Sequence, residues 1–369
     1  MRIVRKPVVL HVNTEKGFRG GEIQTLEIAK GLQSRGFPSV LLAHGGGELI
    51  QRARKEGLTC VEFVPRGELD IFAAFRLKRV VKEYGAELVH CHTSHALGIA
   101  YLSGVRKQKV AVVGTRRVSF PLRSGMSAKK YLAASKIIAV SESVGKDLYE
   151  AGIPADKITV IHSGIDLSKF ETLLDPAKAK ERLGVGKSFP VIGVIGALAA
   201  HKGHRTFLRA VEKAWVRFPD TVAVIVGDGP NLQNMKKSCQ SRAIPSFFLG
   251  EVANVVPIYR CFDIFVLPSV SGEGSPAVIK EAAASEIPVI ATNVGGVGEI
   301  FENNKEALLV PPSDSDRMTE AIIRLASDKQ LRYSLVKAAK KKVAAFGFDA
   351  VVDAHERVYA ELLGSRPRV

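Results

Sequence analysis

Two carboxylates eight residues apart, Glu273 and Glu281, frame the turn Gly274-Ser275-Pro276-Ala277. Glu273 falls on a loop after an apolar run, and Glu281 falls two turns into the helix that follows. A turn of this kind exposes backbone amides at a helix start, where an anion such as phosphate is favoured. The flanking carboxylates can accept from hydroxyls: Glu273 on the loop from those of a sugar, Glu281 in the helix from those of a ribose. Glu281 precedes Ala282-Ala283-Ala284. On so apolar a face a carboxylate is costly unless it has partners. A solvated helix face is the plain alternative, and the glycine turn and alanine run speak against it.

Other loops carry weaker signals. Gly196-Ala197-Leu198-Ala199-Ala200-His201-Lys202-Gly203 leads from a strand into a helix. Lys202 can neutralise a diphosphate whose oxygens also meet loop amides. A solvated lysine at a helix start explains it equally well. Gly20-Gly21-Glu22 opens a helix after the first strand, and paired glycines permit close approach of a ligand. It is not the three-glycine dinucleotide fingerprint, which disfavours a nicotinamide dehydrogenase. Gly295-Gly296-Val297-Gly298-Glu299 is a further glycine loop. His90 and His92 end one strand on the same side, but no third metal ligand is suggested. Asp314-Ser315-Asp316 precedes a helix and reads as its N-cap. The four cysteines are scattered and read as reduced thiols.

Apolar runs must place these loops. Residues 8–12, Ser39–Ala43, 60–64, Leu88–Cys91, 110–114 and 137–140 read as buried strands separated by helical periodicity. The first helix, 21–35, turns Ile23, Leu26, Ile28 and Leu32 inward. A polar stretch, 166–187, interrupts the pattern. It restarts with Val191–Ile195, Val222–Val226, 247–249, Ile264–Leu267, 288–291 and 307–310. The expected fold is α/β: two doubly wound parallel sheets, Rossmann-like, facing each other across a cleft, with ligands beyond the carboxyl ends of the strands. The expected domains are 1–168, which binds the acceptor, and 169–345, which binds the donor. Residues 346–369 form a helix packing back on the first domain.

In this order the motifs resemble those of glycosyltransferase family 4, of the GT-B fold, over nearly the whole chain. The resemblance lies in Gly20-Gly21-Glu22, Ile138-Ala139-Val140-Ser141-Glu142, Ile161-His162-Ser163-Gly164-Ile165-Asp166, Val226-Gly227-Asp228-Gly229-Pro230, the Glu273/Glu281 pair, the Gly295 loop and Val310-Pro311-Pro312. It implies a nucleotide-sugar donor, retention of anomeric configuration, and neither cofactor nor metal. By the same resemblance Glu273 contacts the donor sugar, Glu281 the ribose and Lys202 the diphosphate. Gly20, Gly21, Gly196, Gly274, Ser275, Pro276 and Ala277 complete the donor site. Two departures stand out. Ala197 occupies a place where the family usually has arginine. Gly114-Thr115-Arg116-Arg117 stands where it often has a histidine near the reacting sugar. Arg116 and Arg117 are therefore candidates for catalysis or for an anionic acceptor, with His92 beside the acceptor. The twin arginines followed by Phe120-Pro121 are similar to bacterial enzymes of lipopolysaccharide and surface-glycan synthesis. No residue stands out as a nucleophile. A same-face displacement in which the leaving phosphate takes the acceptor's proton fits best.

The 369 residues carry a net charge of +16. Residues 1–170 hold 27 Lys/Arg against 15 Asp/Glu, a net +12 that leaves +4 for the rest. No nucleic-acid motif accompanies this charge. No apolar run approaches the ~18 residues of a membrane span, and no signal peptide is evident, so the expectation is a cytoplasmic protein. Arg76, Arg79 and Lys82 share one side of the helix Ile71–Tyr84, beside Phe72 and Phe75. Arg123, Lys129 and Lys130 flank Phe120, Leu122 and Met126. Cations beside apolar groups suit an anionic membrane surface and hence a lipid-linked or other glycan acceptor. The plain alternative places the phenylalanines in the core. Rival functions are a nucleotide-sugar epimerase of the same fold and a non-catalytic sugar-binding protein.

Overall fold

A computed structural model describes residues 6–120, 122 and 126–364. The chain divides into two compact units. One comprises residues up to Gly164 together with Phe348 onward; the other is Ile165–Gly347. The divisions expected at 168/169 and 345/346 fall instead at 164/165 and 347/348, where Ile165 meets the returning chain: its N–H donates to the Phe346 carbonyl, and it bridges Gly347.

The first unit holds seven strands: β1 (Val9–Asn13), β2 (Ser39–Ala43), β3 (Thr59–Glu62), β4 (Leu88–Cys91), β5 (Ala111–Arg116), β6 (Lys136–Ala139) and β7 (Ile158–Val160). All pair in parallel, in the order β3-β2-β1-β4-β5-β6-β7. Strands buried on both faces require near-continuous apolar runs, and Val9, Leu10, Leu41, Leu42, Leu88 and Val89 supply them. The C-terminal helix Phe348–Gly364 packs on this unit: Val351, Val352, Val358 and Tyr359 share a core with Val9, Ile28 and Leu32. Gly31 lets the two helices approach, since a Cβ there would lie 2.5 Å from Val352.

The helix Gly20–Ser34 differs from the expectation in one respect. Ile23 is only half-buried, whereas the polar Glu22, Gln24 and Thr25 are buried. Their hydrogen bonds account for it. Gln24 donates to the Gly164 carbonyl (2.7 Å) and accepts from the Gly164 N–H (2.8 Å). Thr25 donates to the Gly21 carbonyl.

The second unit holds β8 (Val191–Ile195), β9 (Val222–Val226), β10 (Ser246–Gly250), β11 (Ile264–Leu267), β12 (Val289–Thr292) and β13 (Leu308–Val310). They form a parallel sheet ordered β10-β9-β8-β11-β12-β13. One side packs on the helix His204–Arg217 through Phe207, Leu208 and Val211, the other on Ala277–Ala284 through Ile279, Ala282 and Ala283. Asp314 caps the helix Ser315–Ser327, accepting from the N–H groups of Asp316 and Arg317. In each sheet the order reverses once, at β1/β4 and at β8/β11. Loops on either side of such a reversal diverge and leave a crevice beyond the carboxyl ends of those strands.

Candidate active site

At the β8/β11 reversal four loops lock together. The Leu198 N–H donates to the Asp228 carbonyl (2.9 Å), and the Val270 N–H to the His201 carbonyl (2.7 Å). The Gly296 N–H donates to the Glu273 carbonyl (2.9 Å). Contact this close needs glycine. A Cβ on Gly203, whose φ is +69°, would lie 1.8 Å from the Pro268 carbonyl oxygen.

These loops bring Lys202 to Glu273. Lys202 Nζ donates to Glu273 Oε1 at 2.6 Å, and the Ser269 hydroxyl donates to the same oxygen. Glu273 is buried and Lys202 partly exposed. A buried carboxylate is stable here because it is both paired and hydrogen-bonded. Glu281 is partly buried and accepts from the Tyr259 hydroxyl at 3.0 Å. Burial raises its pKa, while the Tyr259 hydrogen bond and the charges of Lys169 and Lys280 pull it back. Between the two acids, the Ser275 hydroxyl accepts a hydrogen bond from Lys280 Nζ at 2.8 Å. Lys280 is fully buried, with its ammonium 4.5 Å from the Phe346 ring centroid. Burial lowers its pKa to about 7.

At the β1/β4 reversal the first unit gathers buried polar groups. His11 pairs in register with His90, and His92 lies two residues further on the same side. His11 Nδ1 and His92 Nε2 are 3.0 Å apart. His90 is bonded through both ring nitrogens, Nδ1 with the Tyr359 hydroxyl (2.6 Å) and Nε2 with that of Thr115 (2.7 Å). Burial holds His11 down to about pKa 3 and His355 to about 4, so these imidazoles are neutral at pH 7. Tertiary structure thus adds His11 as the third histidine that β4 by itself does not suggest, and one nitrogen from each lies within 4.8 Å of the others. The donor set still fits a cation poorly. His90 has both nitrogens committed, no carboxylate among the described residues joins the three, and the charge of Arg117 depresses His90 and His92 further.

The family described as Glycosyltransferase Family 4 matches residues 18–169, and that described as Glycosyl transferases group 1 matches residues 176–342. The chain belongs to glycosyltransferase family 4. The UDP-Gal:alpha-D-GlcNAc-diphosphoundecaprenol alpha-1,3-galactosyltransferase of Escherichia coli is 28% identical over 314 residues, 80% of each chain. A glycosyltransferase structure from Rickettsia africae superposes with a TM-score of 0.87, at 24% identity over 98% of this chain and all of the other. Anabaena HepE in complex with UDP and glucose superposes at 0.86, with 20% identity over 96% of this chain and all of the other. These likenesses make the protein a glycosyltransferase enzyme with the two parallel-sheet domains of the GT-B fold.

In this glycosyltransferase Arg116, the last residue of β5, and Arg117, just beyond it, have opposite surroundings. Arg116 turns to the Tyr131 side, where it donates to the Tyr131 hydroxyl (3.3 Å) and the Phe120 carbonyl. Arg117 turns to the histidine side and lies along Gly21, where a Cβ would sit 3.6 Å from its Cδ. Its Nε and Nη2 are buried without a hydrogen-bond partner among the described residues. Burial lowers its pKa to about 10, against the opposing pull of Glu22. Glu22 also accepts from the Arg19 N–H (2.9 Å), which fixes the helix start at Gly20 and Gly21. Asn13 donates to Thr25 (3.0 Å) just below.

The structure therefore groups Gly20, Gly21, His92 and Arg117 in the first unit. In the second it groups Gly196, Lys202, Glu273 and Glu281 with the Gly274–Ala277 turn. Sequence reasoning did not single out His11, Asn13, Gln24, His355 and Tyr359, or Tyr259, Ser269 and Lys280. His355 and Tyr359 carry a faint signal, being polar residues four apart in an apolar helical stripe. Tyr259 and Ser269 carry none, because only folding brings them to the two glutamates.

Proposed function

We propose that this enzyme transfers a sugar, with retention of configuration and without a metal, from a nucleotide-sugar to a glycan or lipid-linked acceptor in bacterial surface-glycan synthesis. The observation that carries this reading is the Lys202–Glu273 pair beside the amide-bearing turn at Gly274–Ala277, with Glu281 one helix turn beyond. Glu281 accepts from the ribose hydroxyls, the turn amides and Lys202 meet the diphosphate, and Glu273 holds a sugar hydroxyl. As a glycosidic oxygen leaves on the diphosphate, negative charge grows where a cation and fixed dipoles already stand, which lowers the barrier without reorganisation. The departing phosphate oxygen takes the acceptor's proton on the same face, so the new bond keeps the old configuration.

The first unit supports acceptor binding. Neutral His92 and the unpartnered edge of Arg117 offer polar contacts beside the start of the Gly20–Ser34 helix. Arg116, already bonded to Tyr131 and Phe120, serves to hold the Arg117 loop. The relative from Escherichia coli is named for a diphosphoundecaprenol-linked acceptor, which supports a lipid-linked one here. We assign an anionic bilayer as the surface on which it works, from the cytoplasmic side. No helix among the described residues is long and apolar enough to cross a membrane. Phe72 and Phe75 are 75% and 69% exposed, Leu69 and Ile71 are exposed beside them, and Arg76, Arg79 and Lys82 share the same helix surface. Lys129 is also exposed, whereas Lys130 is buried against Glu68 and Ser94. Arg123 and the side chain of Met126 lie outside the described residues.

The test is to incubate the enzyme with UDP-, GDP- and ADP-sugars, a diphosphate-linked glycosyl acceptor and excess chelator, and to read the product anomer by NMR. Turnover with the donor's anomeric configuration supports the reading. An inverted product, or activity restored only by magnesium or manganese, overturns it. Epimerisation of donor alone would mark the epimerase instead.

A further inference from the structure

A cavity of about 350 Å³ lies in the first unit between the helix Ser94–Ser103, β5 and the helix Met126–Ala133. Its walls are Leu97, Ala100, Tyr101, Val112 and Ala133. Three cations, Arg106, Lys107 and Lys130, also line it, and among the described residues no carboxylate does. Lys130 is committed to Glu68 and Ser94. Arg106 and Lys107 are exposed. The apolar character continues outward through exposed Tyr101, Leu102 and Leu132. The volume is within the range of small-ligand pockets. The chemistry selects an occupant that is hydrocarbon inside and anionic at its end.

The position decides which amphiphile. The helix Ser94–Ser103 runs back from the carboxyl end of β4, so Tyr101 and Gly104 lie toward the amino end of β5. The cavity is thus displaced from the histidine cluster at the carboxyl ends of β1 and β4, where an acceptor would react. We propose that it holds one acyl chain of an anionic bilayer phospholipid, as an anchor rather than a substrate. Arg106 and Lys107 pair with the lipid phosphate. Methylenes withdrawn from water strengthen such binding, and the two cations select charge. This rests on the reading that the enzyme works at an anionic membrane, and it adds a stoichiometric lipid site to that surface.

The experiment titrates full-length protein with monomeric myristoyl lysophosphatidylglycerol by calorimetry and native mass spectrometry. The expected result is saturable binding of one lipid. Neutral lysophosphatidylcholine should bind at least tenfold more weakly, and glycerol 3-phosphate should not compete. Ala133→Phe fills the cavity and should weaken binding at least tenfold. Should that variant fail to fold, Tyr101→Asp at the exposed wall should do the same by placing a carboxylate there. Phe72→Ser/Phe75→Ser lies outside the cavity and should leave lysolipid binding intact. Absence of saturable binding, undiminished binding by both cavity variants, or full competition by glycerol 3-phosphate would overturn the site. Lysolipid binding by a wild-type protein that ignores anionic vesicles would keep the site and sink the docking surface instead.

Discussion

Glu281 and Lys280 are neighbours in the chain and do different work. Glu281 accepts from Tyr259; if it holds the ribose as proposed, Glu281→Ala should weaken nucleoside diphosphate binding by about 1.5–3 kcal/mol, as for hydrogen bonds to a charged group. Calorimetry showing unchanged affinity would remove this assignment. Glu273, held by Lys202 and Ser269, is the residue proposed to contact the sugar. Glu273→Gln should cut turnover sharply while leaving affinity for the bare nucleotide nearly intact, and a matching loss of both would reassign it to the nucleotide. Lys280 faces inward to Ser275 and Phe346, and burial outweighs the opposing charge of Glu281. Its pKa falls from 10.5 to about 7 on folding. Between these values the unfolded chain binds more protons than the native one, so stability from this group rises with pH from about 7 toward 10. Lys280→Met should flatten that rise in denaturant melts compared with the parent. Parallel pH profiles for the two proteins would show that Lys280 is not desolvated as described.

At the level of elements, the second unit depends on loops that touch backbone to backbone. Gly203 joins the Lys202 loop to the end of β11 at a left-handed φ of +69°, and a Cβ there meets a carbonyl oxygen that cannot move aside. Gly203→Ala carries about 1–3 kcal/mol of backbone strain in addition to that clash. The predicted outcome is a lower denaturation midpoint together with loss of nucleotide binding, because Lys202 and Glu273 shift with the loop. A stable Gly203→Ala variant with normal binding would show that the loops are not locked. The helix Ile71–Tyr84 follows simpler rules. Asp70 caps it by accepting from the Ala73 N–H, Gly85 ends it in the left-handed conformation, and Ala73, Ala74, Leu77, Val80 and Val81 form its buried stripe. That stripe leaves Phe72 and Phe75 on the outside.

For the whole molecule, charge and apolar exposure coincide in the basic first unit. Each cation near an anionic surface contributes about 1 kcal/mol, screened by salt. The parent should sediment with anionic vesicles at low salt, less so at high salt, and weakly with neutral vesicles. Phe72→Ser/Phe75→Ser should release it while preserving turnover on a water-soluble acceptor analogue. Equal binding to both vesicle types, or none to anionic vesicles at low salt, would reduce the cations to solvation.

The amino-acid sequence by itself determined the two parallel sheets, since short apolar runs between amphipathic stretches admit few other architectures. It also located Glu273, Glu281 and Lys202, because glycine turns next to charged residues are local signals. Domain membership is only partly local: the helix Phe348–Gly364 belongs with the first unit through Val351, Val352 and Tyr359, and Ile165 is tied to Gly347. Only tertiary structure decided that Lys202 and Glu273 meet across 71 residues, that His11 joins His90 and His92, and that Lys280 is buried. It likewise separated the adjacent Arg116 and Arg117 onto opposite faces, and settled that Phe72 and Phe75 face outward. The physical reason is the same in each case. Strand period and turn chemistry act between near neighbours in the chain, whereas burial and pairing depend on which distant surface arrives to cover a side chain.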